Sequence, residues 1–185
     1  MKTKKLNDKI GWKAHWTITK FKDPDDKIAN AIHNGLTVEE AKVLYPGAYF
    51  GTEEIDHNVA LNEGLQLLIG LIAGTTGDTG SLWDNAHAYL GVGDSTTTAV
   101  ATQTGLQAAT NKTYKAMDST FPTRATQVCT WQATFASGDA NYSWQEYTVV
   151  NASTDSGKNL NRVCADKGTK ASGETWTLQL AITFS

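Results

Sequence analysis

Four histidines, two cysteines and six tryptophans are the residues of this 185-residue chain whose types most readily do chemistry. His15, His33, His57 and His87 are scattered, and no pair has the H-x-x-x-H or Cys/His spacing by which a zinc ion is held. His57 beside Glu54 and Asp56 is the nearest approach to a metal cluster. On a strand, however, residues 54 and 56 share one face and 57 points to the other, so no metal and no cofactor are expected. Gly91-Val92-Gly93-Asp94-Ser95 has the look of a phosphate loop, but no G-K-[ST] follows and no helix opens after it, which predicts a β-turn. There is no Gly-x-Ser-x-Gly elbow and no pair of carboxylates placed as acid and base, so no catalytic residue is expected. Glu146, within an aromatic stretch at 142–147, is expected to be half-buried and satisfied by a neighbouring turn or by Arg162. The tryptophans could line a sugar-binding groove, as in a lectin-like module. Trp131, Trp144 and Trp176 nevertheless stand at strand positions that favour packing. Cys129 and Cys164 fall in apparent strands and read as reduced core thiols, since a disulfide would require those strands to be neighbours.

The elements that must position these residues are mostly strands. At 175–184, Trp176, Leu178, Leu180, Ile182 and Phe184 fall on one face and Thr175, Thr177, Gln179 and Thr183 on the other. Each large apolar side chain contributes roughly 1.5–3 kcal/mol on burial, so a one-residue slip in register is prohibitive. At 10–21, Trp12, Ala14, Trp16 and Ile18 alternate with Lys13, His15, Thr17 and Thr19, until Asp23-Pro24-Asp25-Asp26 stops the run. Further strands are predicted at 52–56, 88–92, 111–117, 128–135, 142–150 and 160–165. Residues 27–51 read as an inserted loop with a short helix over 39–45, started by the capping-box spacing Thr37-Val38-Glu39-Glu40 and stopped by Pro46. A longer helix is predicted over 58–73, with Leu61, Leu65, Leu68 and Ile72 as a core-facing stripe, widened by Leu67, Ile69 and Leu71, and Gly74 at its end.

The expected fold is therefore mainly β: an antiparallel β-sandwich, jelly-roll-like, with one packed α-helix and an extended N-terminal arm. Residues 1–57 are expected to hold the arm, first strand and inserted loop, and 58–185 the sandwich domain with its leading helix. A hydrophobic share of 40% suffices for a core, and a formal net charge of −3 argues against a general nucleic-acid binder. No apolar run approaches the ~20 residues of a membrane span. Met1-Lys2-Thr3-Lys4-Lys5 is basic, but neither an apolar stretch nor a small-residue cleavage site follows, so no secretion signal is read. Residues 1–9 are polar and mostly basic, as befits an arm that orders only against a partner.

Three blocks together resemble a known group. They are Leu61-Asn62-Glu63-Gly64-Leu65-Gln66-Leu67-Leu68 through Gly74; Ala88-Tyr89-Leu90-Gly91-Val92-Gly93-Asp94-Ser95-Thr96 with Thr102-Gln103-Thr104-Gly105-Leu106 and Asn111-Lys112; and residues 135–146 with Leu160-Asn161-Arg162 and Lys167-Gly168-Thr169-Lys170. Their order resembles small structural proteins of tailed-bacteriophage virions, with looser versions in tail-fibre and baseplate proteins. The resemblance spans roughly residues 55–185 and carries no catalytic residues. It implies a capsid cement (decoration) protein, made in the bacterial host cytoplasm and resident on the capsid surface of the virion. Its partners would be the major capsid protein and further copies of itself, with neither nucleic acid nor membrane. The alternative it implies is a tail or baseplate adaptor that binds a host receptor. Lys2, Lys4 and Lys5, with Trp12 and Trp16 as apolar anchors, are the expected capsid contacts.

Overall fold

The computed structural model describes residues 11–75 and 82–185. In chain order the elements are β1 (Trp12–Lys22), α1 (Lys27–His33), α2 (Val38–Leu44), β2 (Tyr49–Ile55), β3 (Val59–Ala60), α3 (Asn62–Ala73), β4 (Tyr89–Gly93), β5 (Lys112–Ala116), β6 (Thr123–Ala125), β7 (Val128–Phe135), β8 (Glu146–Val150), β9 (Asn159–Cys164) and β10 (Glu174–Phe184). They build two antiparallel five-stranded sheets. Sheet A runs β2-β1-β10-β7-β6 and sheet B runs β3-β9-β8-β4-β5. The architecture is mainly β and sandwich-like.

The alternation in β10 and β1 explains their place at the centre of sheet A. The two strands pair along their whole length, from Trp12 opposite Phe184 to Lys22 opposite Glu174. Trp16, Ile18, Leu178, Leu180 and Ile182 are thereby presented to Leu90, Val92, Tyr147, Val149, Leu160 and Val163 of sheet B in one continuous core. That core crosses residue 57: among the described residues, β1 and the later strands share it. Trp144 packs edge-on against Phe135 and Trp176, with ring centroids 4.8 and 4.9 Å away.

Several expectations are corrected. The inserted region holds two helices, and α1 lacks the usual cap spacing, because its start is held by a carboxylate five and six residues upstream: that of Asp23 accepts from the amides of Ile28 and Ala29. Asp26, at φ 55°, turns the chain into it. α2 begins as its capping box predicts, Thr37 Oγ1 accepting from the Glu40 amide and Glu40 Oε2 accepting from the Thr37 amide. Phe21, Ile28, Ile32 and Ala41 form a second, small core that seats this helical pair on the outer face of sheet A. The longer helix starts at Asn62 rather than 58, since Val59 and Ala60 pair with Arg162 and Asn161 as β3. Its stripe is also rotated: Leu67 and Leu71 reach the core and Gly64 lies against β9, whereas Ile69 and Ile72 are exposed. The strand expected at 142–150 is regular only from Glu146; ahead of it Ser143 makes a single bridge to Thr169, so Trp144 turns inward beside Tyr147 instead of opposite it.

Candidate functional site

Lys2, Lys4 and Lys5, three of the expected contacts, lie outside the described residues. Trp12 is half-buried, its Nε1 donating to Asn58 Oδ1 at 3.2 Å and its ring edge-on to Phe184 at 5.3 Å. Trp16 is corrected: it has no exposed surface and sits between the sheets, so it cannot reach a partner. The histidines do not converge. His15 pairs with Asp56 at 2.6 Å, His87 with Asp84 at 2.7 Å, and His33 with Asp118 at 3.2 Å. Among the described residues no three His, Cys, Asp or Glu side chains could hold a metal. Cys129 and Cys164 are free thiols on strands of different sheets, and burial pushes both thiol pKa values up.

The motif residues instead converge on the outer face of sheet B. Glu146 and Arg162, both fully buried, pair with Oε2–Nη2 2.6 Å apart and a second bond from Nε at 2.7 Å. Glu146 also accepts from the amides of Gln107 and Ala108. The Arg162 guanidinium donates to Gln103 Oε1 and to the Thr97 carbonyl. One ion pair thus ties the 97–108 connector down over β8 and β9. The glycines of the Gly91-Val92-Gly93 strand leave room for it. A Cβ on Gly93 would come within 2.4 Å of Glu146 Oε1, and one on Gly91 within 2.8 Å of the Tyr114 ring and the Thr148 methyl. Glu63 of α3 joins the same face by accepting from the Asn159 amide at 2.8 Å. Glu146 is satisfied by Arg162 and a neighbouring turn, as expected, and more deeply buried than expected.

Of the places among the described residues that are open to a ligand or partner, two lie on sheet A. The first is an apolar patch on the edge of sheet A. Val43 and Leu44 of α2 are 77% and 60% exposed, and Tyr49 and Phe50 are also exposed, on β2, an outermost strand. The second is a cleft of about 410 Å³ on the outer face of sheet A, walled by α1, α2 and the 119–123 loop. Its floor is polar and uncharged, and it stands on Asp118. That carboxylate, fully buried, accepts from Thr134 Oγ1, Gln132 Nε2 and the Thr134 amide. The sequence treated this face as merely wetted. The signal for a covered surface was there in the absence of charge at Thr17, Thr19, Thr177 and Gln179.

Compared with known proteins, the chain matches no family model, no curated protein and no solved structure.

Proposed function

We propose that the chain is a non-enzymatic structural protein of a tailed-phage virion, a cement protein that docks on the outer surface of major capsid subunits and strengthens the shell. The observation that carries this reading is the convergence of the resembling blocks. Glu63, Gly91, Gly93, Gln103, Glu146 and Arg162 come from all three and meet in the layer over sheet B, where the polar ones hold backbone and the glycines make room for neighbouring side chains. On this reading the charged residues Glu63, Glu146 and Arg162 are engaged inside the architecture rather than offered to a substrate.

The same reading takes the sandwich as jelly-roll-like and residues 1–9 as a basic arm, with Lys2, Lys4 and Lys5 steering it toward acidic capsid surface and Trp12 at its root. The apolar patch of Val43, Leu44, Tyr49 and Phe50 is the second contact assigned to capsid docking. Many modest contacts, repeated by the symmetry of a shell, make such a layer strong through multivalency.

Quantitative mass spectrometry of purified virions tests the proposal. A cement protein is present in copy numbers comparable to the capsid subunit. An adaptor is present in a few copies per particle, and absence from virions overturns both readings. Val43→Asp/Leu44→Asp should keep the fold and reduce decoration of empty shells in a co-sedimentation assay.

A further inference from the structure

The cleft on the outer face of sheet A has no part in the docking just described. Its floor is laid by register: Thr17, Gln179 and Gln132 lie in one cross-strand row, and Thr19, Thr177 and Thr134 in the next. None of these side chains carries charge. Gln132 and Thr134, and through them Gln179 and Thr177, are held in order by the buried Asp118. Gln132 Nε2 donates to Asp118 Oδ2 at 3.0 Å, which leaves Gln132 Oε1 to accept from Gln179 Nε2 at 3.1 Å. Thr134 Oγ1 donates to Asp118 at 2.7 Å and lies 3.1 Å from Thr177 Oγ1.

Thr19 is 3% exposed, lines the cleft and bonds through its side chain to no described residue, so access to its hydroxyl is through the cleft. A hydroxyl that opens only into the cleft is free to donate to, and accept from, a ligand seated there. Glu39 is the one ionisable side chain among the lining residues, which disfavours a charged ligand. The walls are of another kind: Ile32, Leu36 and Val38 on one side and Phe121 on the other. A pocket with hydroxyl and amide groups on its floor and apolar walls suits a molecule with hydroxyls along its edge and C–H faces. An extended peptide would seek main-chain donors and acceptors at a sheet edge. Here the floor is the face of three paired strands whose main chain is already engaged. The volume lies within the ~300–1,000 Å³ of small-molecule sites.

We propose that this cleft binds a neutral pyranose saccharide through Thr17, Thr19 and Gln179, with Phe121 against a C–H face of the ring. The test is saturation-transfer NMR on the full chain with glucose, galactose, N-acetylglucosamine, maltose and lactose. At least one should receive saturation at its ring protons. Its affinity should fall about tenfold in Thr19→Val, which keeps the branched shape and removes the hydroxyl. Thr17→Val, at a more exposed position of the same floor, supplies the same comparison if Thr19→Val fails to fold. Absence of transfer to every sugar at millimolar concentration overturns the proposal, as does transfer that the folded variants leave unchanged.

Discussion

Lys170 is a lysine without exposed surface, its Nζ donating to the Ala136 carbonyl at 2.7 Å and to Asn141 Oδ1 at 2.9 Å. Burial lowers its pKa to about 8, against the opposing pull of Asp139, Glu174 and Asp26. A neutral amine still has two hydrogens for those two bonds, so losing the proton breaks neither contact. Below about pH 8 the lysine is charged in both folded and unfolded chains, and its effect on stability is flat. Between about 8 and its ordinary 10.5 the unfolded chain holds the proton and the folded chain does not, so stability rises with pH. Urea unfolding of the wild type and of Lys170→Met should therefore show a difference that shifts in favour of the wild type across this window. A flat or opposite trend would refute the assignment. The Glu146–Arg162 pair makes a second prediction at this scale. Glu146→Gln or Arg162→Met leaves one buried partner uncompensated, at about 3–5 kcal/mol. The double variant should lose clearly less than the sum of the two, read from urea midpoints.

At the scale of elements, α3 shows how far a helix can depart from the role its stripe suggests. Gly64 sits where the helix touches β9: a Cβ there would meet the Asn159 carbonyl oxygen and the Leu160 Cα, each at 2.5 Å. These are backbone atoms, which cannot step aside as a flexible side chain can. Gly64→Ala gains about 0.5–1 kcal/mol of helix propensity. Overpacking against β9 costs about 1–3 kcal/mol, so the net change should be destabilising. Ile72 is 81% exposed on the same helix. Ile72→Lys should then stay within about 0.5 kcal/mol of the wild type, although the sequence placed it in the core. Thermal unfolding of the two variants separates these outcomes, and a large loss in Ile72→Lys would show that this helix end is covered.

For the whole molecule, the described closure of the sandwich begins at Gly11. β1 enters sheet A at Trp12, opposite Phe184, and Gly11 and Ser185 exchange main-chain hydrogen bonds just outside that pair. A chain lacking residues 1–9 should accordingly unfold at the same urea midpoint as the full chain. Under the capsid-docking proposal it should also bind empty shells much more weakly, because the charge of Lys2, Lys4 and Lys5 is gone. That loss should shrink as salt is raised, since attraction between exposed charges is screened beyond ~8 Å at physiological ionic strength. Equal decoration by the two chains at low salt would leave the arm without a role in attachment.

The sequence by itself determined which faces of β1 and β10 are buried, because alternation of large apolar and polar residues leaves one way to bury a sheet face. It also determined the cap of α2, where Thr37 and Glu40 are three residues apart, the end of α3 at Gly74, and Arg162 as a partner for Glu146. These are local patterns, or strong charges that burial obliges to pair. Tertiary structure alone decided that Trp144 would share a face with Tyr147, that Ile72 would face outward, and that the outer face of sheet A would be roofed into a cleft over Asp118. Periodicity names the faces of an element but not what covers them. Coverage is set by segments far away in the chain, as Asp118 is from His33. A contact of that kind joins residues 85 apart in the chain, so no short window of sequence contains it.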